Sequence, residues 1–400
     1  MNNRVRTIAI LTHSRAGGVW SVTRFLWKIL NEDSRFRPDI FFLATSARDA
    51  ASVRLAAPNT WLRGVQVRSG HIDGIQIQHV GAFLSELEFQ RYRPRKILTE
   101  ILNEYDLVQV VAGTPAWAAV TERVERPVCL FTATTIFEER KTVIDSMNGW
   151  HKWWIKWMTF ENARIEQQIL PKLDVVFAES VYTKRALESF VTADRLRLGP
   201  PGVDTSFFTP ATTQANGYPY ILSVGRFSDP RKNVRLLFEA YAIMRGKTIT
   251  PPRLVLAGRT PPTYVDMQYA EELGITKDLI VQQNVSMEEL AQLYRNALVF
   301  VLSSDEEGLG IVILEAMASG IPVVSTDCGG PSMAIQNGVT GFLTPVGCAD
   351  ELATSILQLI ENDDLRRQMG RVARRVSVER FSLEATSRVY LNAYEELLFS

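Results

Sequence analysis

Short apolar runs rich in β-branched residues alternate with segments of helical period through both halves of this 400-residue chain. The alternation is typical of βα units that close around parallel sheets. A single core seldom grows to this length, so we expect an α/β chain with two doubly wound domains. The predicted strands are Val5 to Leu11, Leu107 to Val111, Val128 to Phe131, Asp174 to Ala178, Tyr220 to Val224, Arg253 to Ala257, Leu298 to Leu302 and Ile321 to Ser325.

A polar, Thr-rich stretch punctuated by Pro and Gly separates the two halves at residues 199–219. It has no helical or strand period, as expected of a linker. We therefore predict an N-terminal domain over 1–198, a C-terminal domain over 220–380 and a helix at about 381–400 that can pack back on the first domain. Ligands of open parallel sheets bind beyond the carboxyl ends of the strands, so two facing sheets would hold substrates in a deep cleft between them.

Composition excludes several classes of protein. The chain is 46% hydrophobic and 22% charged, which is ordinary for a globular protein and not for a disordered or fibrous one. Three scattered cysteines fit neither a zinc site nor a disulfide framework and indicate a reducing compartment. The sequence runs directly into a strand and contains no apolar run of about 18 residues, so we predict a cytoplasmic protein with no leader and no membrane span.

Charge is distributed unevenly along the chain. Residues 1–200 contain 27 Lys and Arg against 21 Asp and Glu, whereas residues 201–400 contain 17 against 23. A basic N-terminal half suits an anionic acceptor or the inner face of an anionic membrane, and peripheral membrane contact through this domain is one option. We expect no nucleic-acid partner.

The segment from Ser304 to Val324 is the most informative, because it has the pattern of a Gly-rich loop between a strand and a helix. Its glycines let the backbone approach a ligand, and a helix that starts near Gly310 directs free amide N–H groups and its positive dipole end at the loop. A diphosphate fits that field. Glu307 in the loop and Glu315 about one and a half turns into the helix could accept hydrogen bonds from sugar and ribose hydroxyls, although either one alone would be interpreted as a solvated surface residue.

A second element, residues 223–233, begins at the end of a predicted strand and leads into a helix. Arg226 and Lys232 lie six residues apart in it. Both can reach one diphosphate, the Arg as a fork and the Lys as a point charge. Two cations at this position would neutralise a leaving group without a metal ion.

Together these motifs resemble glycosyltransferase family 4, whose members have the GT-B architecture of two facing Rossmann-like domains. The resemblance covers most of the chain and rests on the GR...KN element, the Glu-X7-Glu pattern, the turn at 328–331 and the segment 337–343. It implies a retaining transferase that uses a nucleotide-diphosphate sugar, with no cofactor and no metal. The residues that it places around the donor are Gly17, Gly18, Gly225, Arg226, Lys232, Glu307, Gly308, Leu309, Gly310, Ile311 and Glu315.

The resemblance also implies separate roles within that donor site. Arg226, Lys232 and the amides of residues 308–311 would hold the diphosphate, Glu307 the sugar hydroxyls and Glu315 the ribose hydroxyls. Arg226, Lys232 and Glu307 are accordingly the predicted catalytic residues.

The chain departs from the family's pattern after the strand Val128 to Phe131. Many relatives have a His there, near the reacting sugar, whereas this chain has Thr132-Ala133-Thr134. Thr132 and His13, which follows the first predicted strand, are therefore candidates for the acceptor side. A lone His has about even odds of a structural role.

Four tryptophans fall at helical spacing with Lys152 and Lys156 between them: Trp150, Trp153, Trp154 and Trp157. Such a stripe is more often part of a packed core, which is the favoured interpretation. The alternative is a face that lies in the headgroup region of an anionic membrane. Mild support for it comes from a basic cluster, Arg91, Arg93, Arg95 and Lys96.

The predicted activity is transfer of a sugar from a nucleotide-diphosphate sugar to a hydroxyl of a glycan, a lipid-linked or a small-molecule acceptor, with formation of an α-glycosidic bond. A nucleotide-sugar epimerase of the same architecture and a catalytically inactive GT-B scaffold are the alternatives. A scaffold has no physical need for four charged groups that converge on one site.

Overall fold

The computed structural model describes residues 4–15, 17–212 and 218–399. The chain divides into an N-terminal unit, Met1–Pro201 with Thr386–Ser400, and a C-terminal unit, Gly202–Ala385. Residues 213–217 of the predicted linker, and Ala16 beside the predicted Gly pair, lie outside the described residues. Among the residues that are described, no helix is both long and apolar enough to cross a membrane.

The N-terminal unit is built on a sheet whose strands, in chain order, are β1 (Arg6–Thr12), β2 (Phe36–Leu43), β3 (Val67–Ile72), β4 (Ile75–Val80), β5 (Leu107–Ala112), β6 (Val128–Thr132), β7 (Val175–Ala178) and β8 (Leu196–Leu198). Their spatial order is β3-β4-β2-β1-β5-β6-β7-β8. β3 and β4 form an antiparallel hairpin, and the other neighbouring pairs are parallel.

The helices of this unit that precede the linker are α1 (Gly17–Glu32), α2 (Glu88–Arg91), α3 (Lys96–Leu102), α4 (Ile136–Ser146), α5 (Gly149–Ile169) and α6 (Val181–Leu187). Helices cover the parallel sheet, so its central strands are buried and mostly apolar. β5 and β6 accordingly have no exposed residue.

The C-terminal unit has a second parallel sheet, formed by β9 (Tyr220–Val224), β10 (Arg253–Gly258), β11 (Leu279–Gln283), β12 (Val299–Leu302), β13 (Val323–Thr326) and β14 (Gly341–Thr344). Their spatial order is β11-β10-β9-β12-β13-β14. The helices around it are α7 (Val234–Lys247), α8 (Tyr264–Glu272), α9 (Met287–Asn296), α10 (Ile311–Ala318), α11 (Ala349–Glu361) and α12 (Asp363–Phe381).

The last helix, α13 (Leu383–Phe399), packs into the N-terminal unit. Tyr390 and Tyr394 on it are fully buried. The hydroxyl of Tyr394 donates to Oε1 of Gln109 on β5 at 2.7 Å, and the hydroxyl of Tyr390 donates to the carbonyl of Gly199 at 2.5 Å. Two buried rings with satisfied hydroxyls thus hold the chain's end to the first sheet.

Each sheet has a central strand from which the chain proceeds first to one side and then to the other. In the N-terminal unit this switch lies between β1 and β5, and in the C-terminal unit between β9 and β12. Loops that leave the carboxyl ends of strands at such a switch diverge and form a crevice where ligands bind. The loops after β1, β5, β9 and β12 are therefore the positions to examine.

The predicted α/β class with two parallel sheets is confirmed. Every predicted strand lies within two residues of an observed strand at both ends. Several strands were not predicted: β2, β3, β4, β8, β11 and β14.

Candidate functional site

The loop after β9 carries the predicted cations. The amide of Gly225 donates to the carbonyl of Ala257 at 3.0 Å, which fixes the start of the loop. Asp229 then organises the next residues, since it accepts from the amide of Arg231 at 3.2 Å and from Nη2 of Arg231 and of Arg226 at 2.8 and 3.1 Å. Burial opposes ionisation of Asp229, but its bonds to Arg231 and the nearby Arg226 outweigh burial and lower its pKa.

Asn233 ends this loop and starts α7. Its backbone is left-handed, with φ 41°, and its side-chain oxygen accepts from the amide of Leu236 at 3.2 Å, as a helix N-cap does. Its side-chain amide donates to Oδ1 of Asp305 at 2.8 Å, and the hydroxyl of Ser303 donates to the carbonyl of Lys232 at 2.9 Å. These bonds tie the loop after β9 to the loop after β12, so the backbone of Lys232 is fixed from both sides.

Lys232 and Glu307 contact each other directly. The Nζ atom of Lys232 donates to Oε1 of Glu307, which also accepts from the hydroxyl of Ser304 at 2.8 Å. The two side chains are only 17% and 13% exposed. Lys232, predicted to bind the diphosphate, and Glu307, predicted to bind the sugar, therefore lie side by side at the switch between β9 and β12.

The backbone that follows Glu307 is fixed by close packing against the turn at 328–331. A Cβ on Gly330 would lie 2.0 Å from the carbonyl oxygen of Gly308, so only Gly allows this approach. The amide of Gly330 donates to the carbonyl of Glu307 at 2.9 Å. Leu309 is fully buried and contributes its side chain to the core.

Helix α10 begins at Ile311, one residue after the predicted start at Gly310. Gly310 is the N-cap with φ 82°, a conformation that favours glycine. In the described part of the chain no side chain caps this helix end. The amide of Ile313 donates to the carbonyl of Gly310 at 2.8 Å, and the positive end of the helix dipole faces the loop that precedes Ile311, where it favours an anion.

Glu315 lies further along α10 and accepts a hydrogen bond from the hydroxyl of the fully buried Tyr294, at 2.8 Å. Burial raises the pKa of Glu315 to about 7, although the bond from Tyr294 acts in the opposite direction. The carboxyl therefore changes its charge near neutral pH.

Arg226 does not share a contact with Lys232 in this structure. Its guanidinium is 57% exposed and its recorded partner is Asp229. The common role that the sequence assigned to Arg226 and Lys232 at one diphosphate stays a prediction.

The N-terminal unit carries its own polar groups at the switch between β1 and β5. Nε2 of His13 accepts from the amide of Gly113 at 3.2 Å, and the ring stacks on Trp117 with centroids 4.5 Å apart. Burial lowers the pKa of His13 to about 4, so the ring is neutral at physiological pH with its proton on Nδ1. α1 begins at Gly17 and continues through Gly18, close to His13 in the chain.

Thr132 is fully buried, and its hydroxyl is engaged by the carbonyls of Gly113 and Thr134 at 3.2 and 3.1 Å. These bonds hold Thr132 at the end of β6, with its proton shared between two backbone carbonyls. Its predicted place on the acceptor side stays a prediction.

Sequence reasoning missed several residues that shape these loops, namely Asp229, Asn233, Tyr294, Asp305 and Glu166. Glu166 is buried on α5, and both of its carboxylate oxygens accept from the amide of Ile136 at 3.2 Å, where α4 begins. Burial raises its pKa to about 8. A signal was present, because Met158, Asn162, Glu166 and Ile169 recur at helical spacing and form the buried side of α5.

The core interpretation of the tryptophan stripe is wrong. Trp150, Trp153, Trp154 and Trp157 are exposed by 76%, 73%, 42% and 47%. They fall on the side of α5 that faces away from its buried residues, so the side of the helix that looks most apolar is the side that does not pack.

The predicted basic cluster at 91–96 is not one surface patch. Arg95 is only 4% exposed, and its Nη2 donates to the carbonyl of Arg91 at 2.6 Å. Burial lowers its pKa to about 10, so it stays charged at neutral pH. The guanidinium of Arg91 donates to the carbonyl of Ser85 at 2.8 Å, which leaves Arg93 and Lys96 as the exposed members.

The fold defined by these two parallel sheets is found in solved glycosyltransferase structures. The Anabaena protein HepE in complex with UDP-glucose is similar, with a TM-score of 0.72, 19% identity and coverage of 98% of this chain and 100% of that one. An identity this low shows the fold alone, and the fold is GT-B.

Sequence comparisons connect the C-terminal unit to a family. Residues 205–376 match the family model of the glycosyl transferases group 1. A D-inositol 3-phosphate glycosyltransferase of Gordonia bronchialis is 27% identical over 99% of this chain and 89% of its own length. The enzyme of the same name from Paenarthrobacter aurescens is 31% identical over 51% of this chain, and the match spans about half of its length, 52%.

Residues 205–376 thus match the glycosyl transferases group 1, and this match supports the resemblance to glycosyltransferase family 4. The matched residues include the Lys232–Glu307 pair, the loop at 308–310 and α10. The predicted donor-site residues of the C-terminal unit therefore lie inside the matched segment, whereas Gly17 and Gly18 lie outside it.

Proposed function

We propose that the protein is a retaining, metal-independent glycosyltransferase that moves a sugar from a nucleotide-diphosphate donor to an acceptor hydroxyl and forms an α-glycosidic bond. The observation that carries this proposal is the Lys232–Glu307 pair, in which Glu307 lies four residues before the start of α10. A cation and a row of amide N–H groups suit a diphosphate, and an adjacent carboxylate suits sugar hydroxyls.

In this mechanism the donor replaces the ion pair of the free protein. Lys232 then donates to the phosphate oxygens, and Glu307 accepts hydrogen bonds from the donor-sugar hydroxyls. The exposed Arg226 turns from Asp229 towards the diphosphate. The C1–O bond then loosens to an oxocarbenium-like state while Lys232, Arg226 and the α10 amides hold the charge of the leaving group. The acceptor enters from the same face, and its proton passes to the departing phosphate.

The relatives suggest which substrates to try first. HepE was crystallised with UDP-glucose, and the two bacterial relatives are named for D-inositol 3-phosphate. We propose a UDP-sugar as the first donor to test, with D-inositol 3-phosphate among the acceptors. We further propose that the protein works in the cytoplasm, in peripheral contact with the inner face of the membrane through its N-terminal unit.

A donor screen tests the transferase proposal. Calorimetry with UDP-, GDP- and ADP-sugars should show one preferred donor, and incubation of that donor with candidate acceptors should release the nucleoside diphosphate together with an α-linked product. A changed nucleotide sugar formed without any acceptor would instead support the epimerase alternative. A β-linked product would contradict retention.

A further inference from the structure

One side of α5 presents a continuous set of large aromatic side chains to solvent. We call this set the Trp face; it consists of Trp150, Trp153, Trp154, Trp157 and Phe160, and Phe160 is 54% exposed. The rings of Trp154 and Trp157 lie 5.2 Å apart, so these two members contact each other. Phe137 on the neighbouring helix α4 is also exposed, by 51%.

The Trp face is not needed to hold α5 in place. The helix is held by its opposite side, where Met158, Asn162, Glu166 and Ile169 are buried, and by the bonds from Glu166 to the start of α4. Single exposed apolar residues are common, but adjoining large aromatics on one helix mark a surface that is covered by a partner.

The charges between the tryptophans are of one sign, and Glu161, the acidic residue one turn beyond Trp157, pairs with Arg164 at 4.0 Å. Residues 149–160 contain Lys152, Lys156 and His151 and no acidic residue. The Nζ atom of Lys156 lies 5.9 Å from the centre of the Trp153 ring. The nearest acidic residues in the chain, Asp145 and Glu161, flank the segment.

We infer that the Trp face docks on an anionic phospholipid bilayer. Indole rings and Lys side chains both favour the headgroup region, where a ring can bury its carbons and keep its N–H wet while the ammonium meets lipid phosphate. Lys is depleted at the core of protein interfaces, so Lys interleaved with Trp fits lipid better than a protein partner. The inference deepens the membrane contact proposed above and rests on that proposed place of action.

Vesicle binding of the full chain tests this inference, with phosphatidylglycerol mixed into phosphatidylcholine and with phosphatidylcholine alone. The wild type should bind the anionic vesicles, and brominated phospholipid should quench part of its tryptophan fluorescence. Changing Trp153, Trp154 and Trp157 together to Ser should lower the partition coefficient at least about a hundredfold, because each ring loses apolar area buried in the interface.

A charge variant separates the electrostatic contribution. Changing Lys152 and Lys156 to Gln should weaken binding to anionic vesicles by about fivefold per lysine and leave binding to neutral vesicles almost unchanged. The matched aromatic control is Tyr264→Ser in the C-terminal unit, where Tyr264 is 78% exposed. This control should bind as the wild type does.

Several outcomes would overturn the inference. One is full vesicle binding by the triple Ser variant, and another is the absence of quenching in the wild type. A third is a wild-type dimer, seen by sedimentation, that the triple variant converts to a monomer while neither protein binds vesicles, since the Trp face would then serve a second copy. If the triple variant unfolds, the charge variant and the quenching measurement decide.

Vesicle binding is measured without donor or acceptor, so it is independent of the proposed transferase activity. A protein that binds vesicles but transfers no sugar would contradict the proposed function and leave the docking surface intact. A protein that transfers sugar to a soluble acceptor but binds no vesicle would contradict the docking surface and leave the proposed function intact.

Discussion

Replacing Glu315 by Gln is expected to stabilise the C-terminal unit above neutral pH and, at the same pH, to weaken its binding of nucleoside diphosphate. Burial raises the pKa of this carboxyl from 4.5 to about 7. Ionised Glu315 therefore lowers stability in the free protein, whereas on the proposed assignment it is the form that accepts hydrogen bonds from ribose hydroxyls. Residues that bind a ligand at the cost of folding stability are common in enzymes.

The magnitude follows from the difference between the two pKa values. A rise from 4.5 to about 7 corresponds to at most about 3.5 kcal/mol, at about 1.4 kcal/mol per unit. Because the folded pKa lies above the unfolded one, the stabilisation is fully present below about pH 4.5 and is lost as the pH rises through about 7. The Gln variant has no such titration, so its advantage should grow from nothing near pH 4.5 to its full value above pH 7.

The same titration should appear in ligand binding. If UDP prefers the ionised carboxyl, its affinity for the wild type should rise about tenfold between pH 6 and pH 8, in excess of any change in the variant. The second ionisation of the diphosphate, with a pKa of about 6, falls in this range too. Only the difference between wild type and Gln variant reports on Glu315.

Denaturant unfolding at several pH values measures the first effect, and calorimetry with UDP measures the second. Tyr294→Phe is the matched control, because it keeps the buried ring and removes the hydrogen bond that lowers the pKa of Glu315. It should shift both midpoints to higher pH. If the free energy of unfolding has the same pH dependence in wild type and Glu315→Gln between pH 5 and pH 8, the raised pKa is refuted. If the affinity for UDP has the same pH dependence in both, another group binds the ribose.

Three further outcomes are expected. Turnover should survive excess EDTA, since cationic side chains and helix amides carry the charge of the leaving group; complete loss that magnesium or manganese restores would contradict metal independence. Lys232→Ala should lower turnover by roughly two to three orders of magnitude with a smaller effect on donor affinity, and it should also destabilise the protein because Glu307 loses its buried partner; unchanged steady-state kinetics would exclude the assigned role. Glu166→Gln should stabilise the N-terminal unit at pH 8 and have no effect near pH 4.5. The pKa of Glu166 is raised to about 8, so the stability of the wild type with a neutral Glu166 is lost as the pH rises through that value. Equal melting curves of wild type and variant at pH 8 would contradict this prediction.

The sequence predicted the strands on both sides of each switch point except β2, and it missed the edge strands β3, β8, β11 and β14, together with β4. β6 and β9 are short, apolar and β-branched, because both of their faces are covered. β11 is half-exposed and ends in two glutamines. In β2, Arg37, Pro38 and Asp39 interrupt the apolar pattern, which leaves a short apolar run at residues 40–43. Strand propensity alone does not identify such segments, since their pairing is decided by neighbours distant in the chain.

The candidate site was predictable where it depends on consecutive residues. Gly310 and α10 follow from a local pattern of glycines before an apolar helix, and the structure places the helix start within one residue of the prediction. The bond between Tyr294 and Glu315 joins α9 to α10, and the bond between Asn233 and Asp305 joins two different loops. Contacts of this kind depend on the order of strands in the sheet, which one sequence does not specify.

Helical spacing predicted that the four tryptophans share a side of α5, but not which way that side points. The packed side contains Asn162 and Glu166, which are fully or almost fully buried despite their polarity. Their burial is compensated in part by the bonds of Glu166 to the start of α4. A buried polar pair on one side and exposed indoles on the other reverse the usual pattern of an amphipathic helix.

The contact between Lys232 and Glu307 leads to a last prediction, on how the site distinguishes a donor from its product. A diphosphate must separate this ion pair in order to reach Lys232, and a nucleoside diphosphate without sugar gives Glu307 no hydroxyl in return. An intact donor supplies both partners, so UDP-sugar should bind more tightly than UDP. Glu307→Gln removes the charge that competes for Lys232, so it should leave UDP affinity unchanged or raise it, while donor affinity falls and the difference between the two ligands shrinks. Calorimetry of both ligands with wild type and variant measures this. A variant that loses UDP affinity as badly as Glu315→Gln would show that the roles of the two carboxylates have been assigned wrongly.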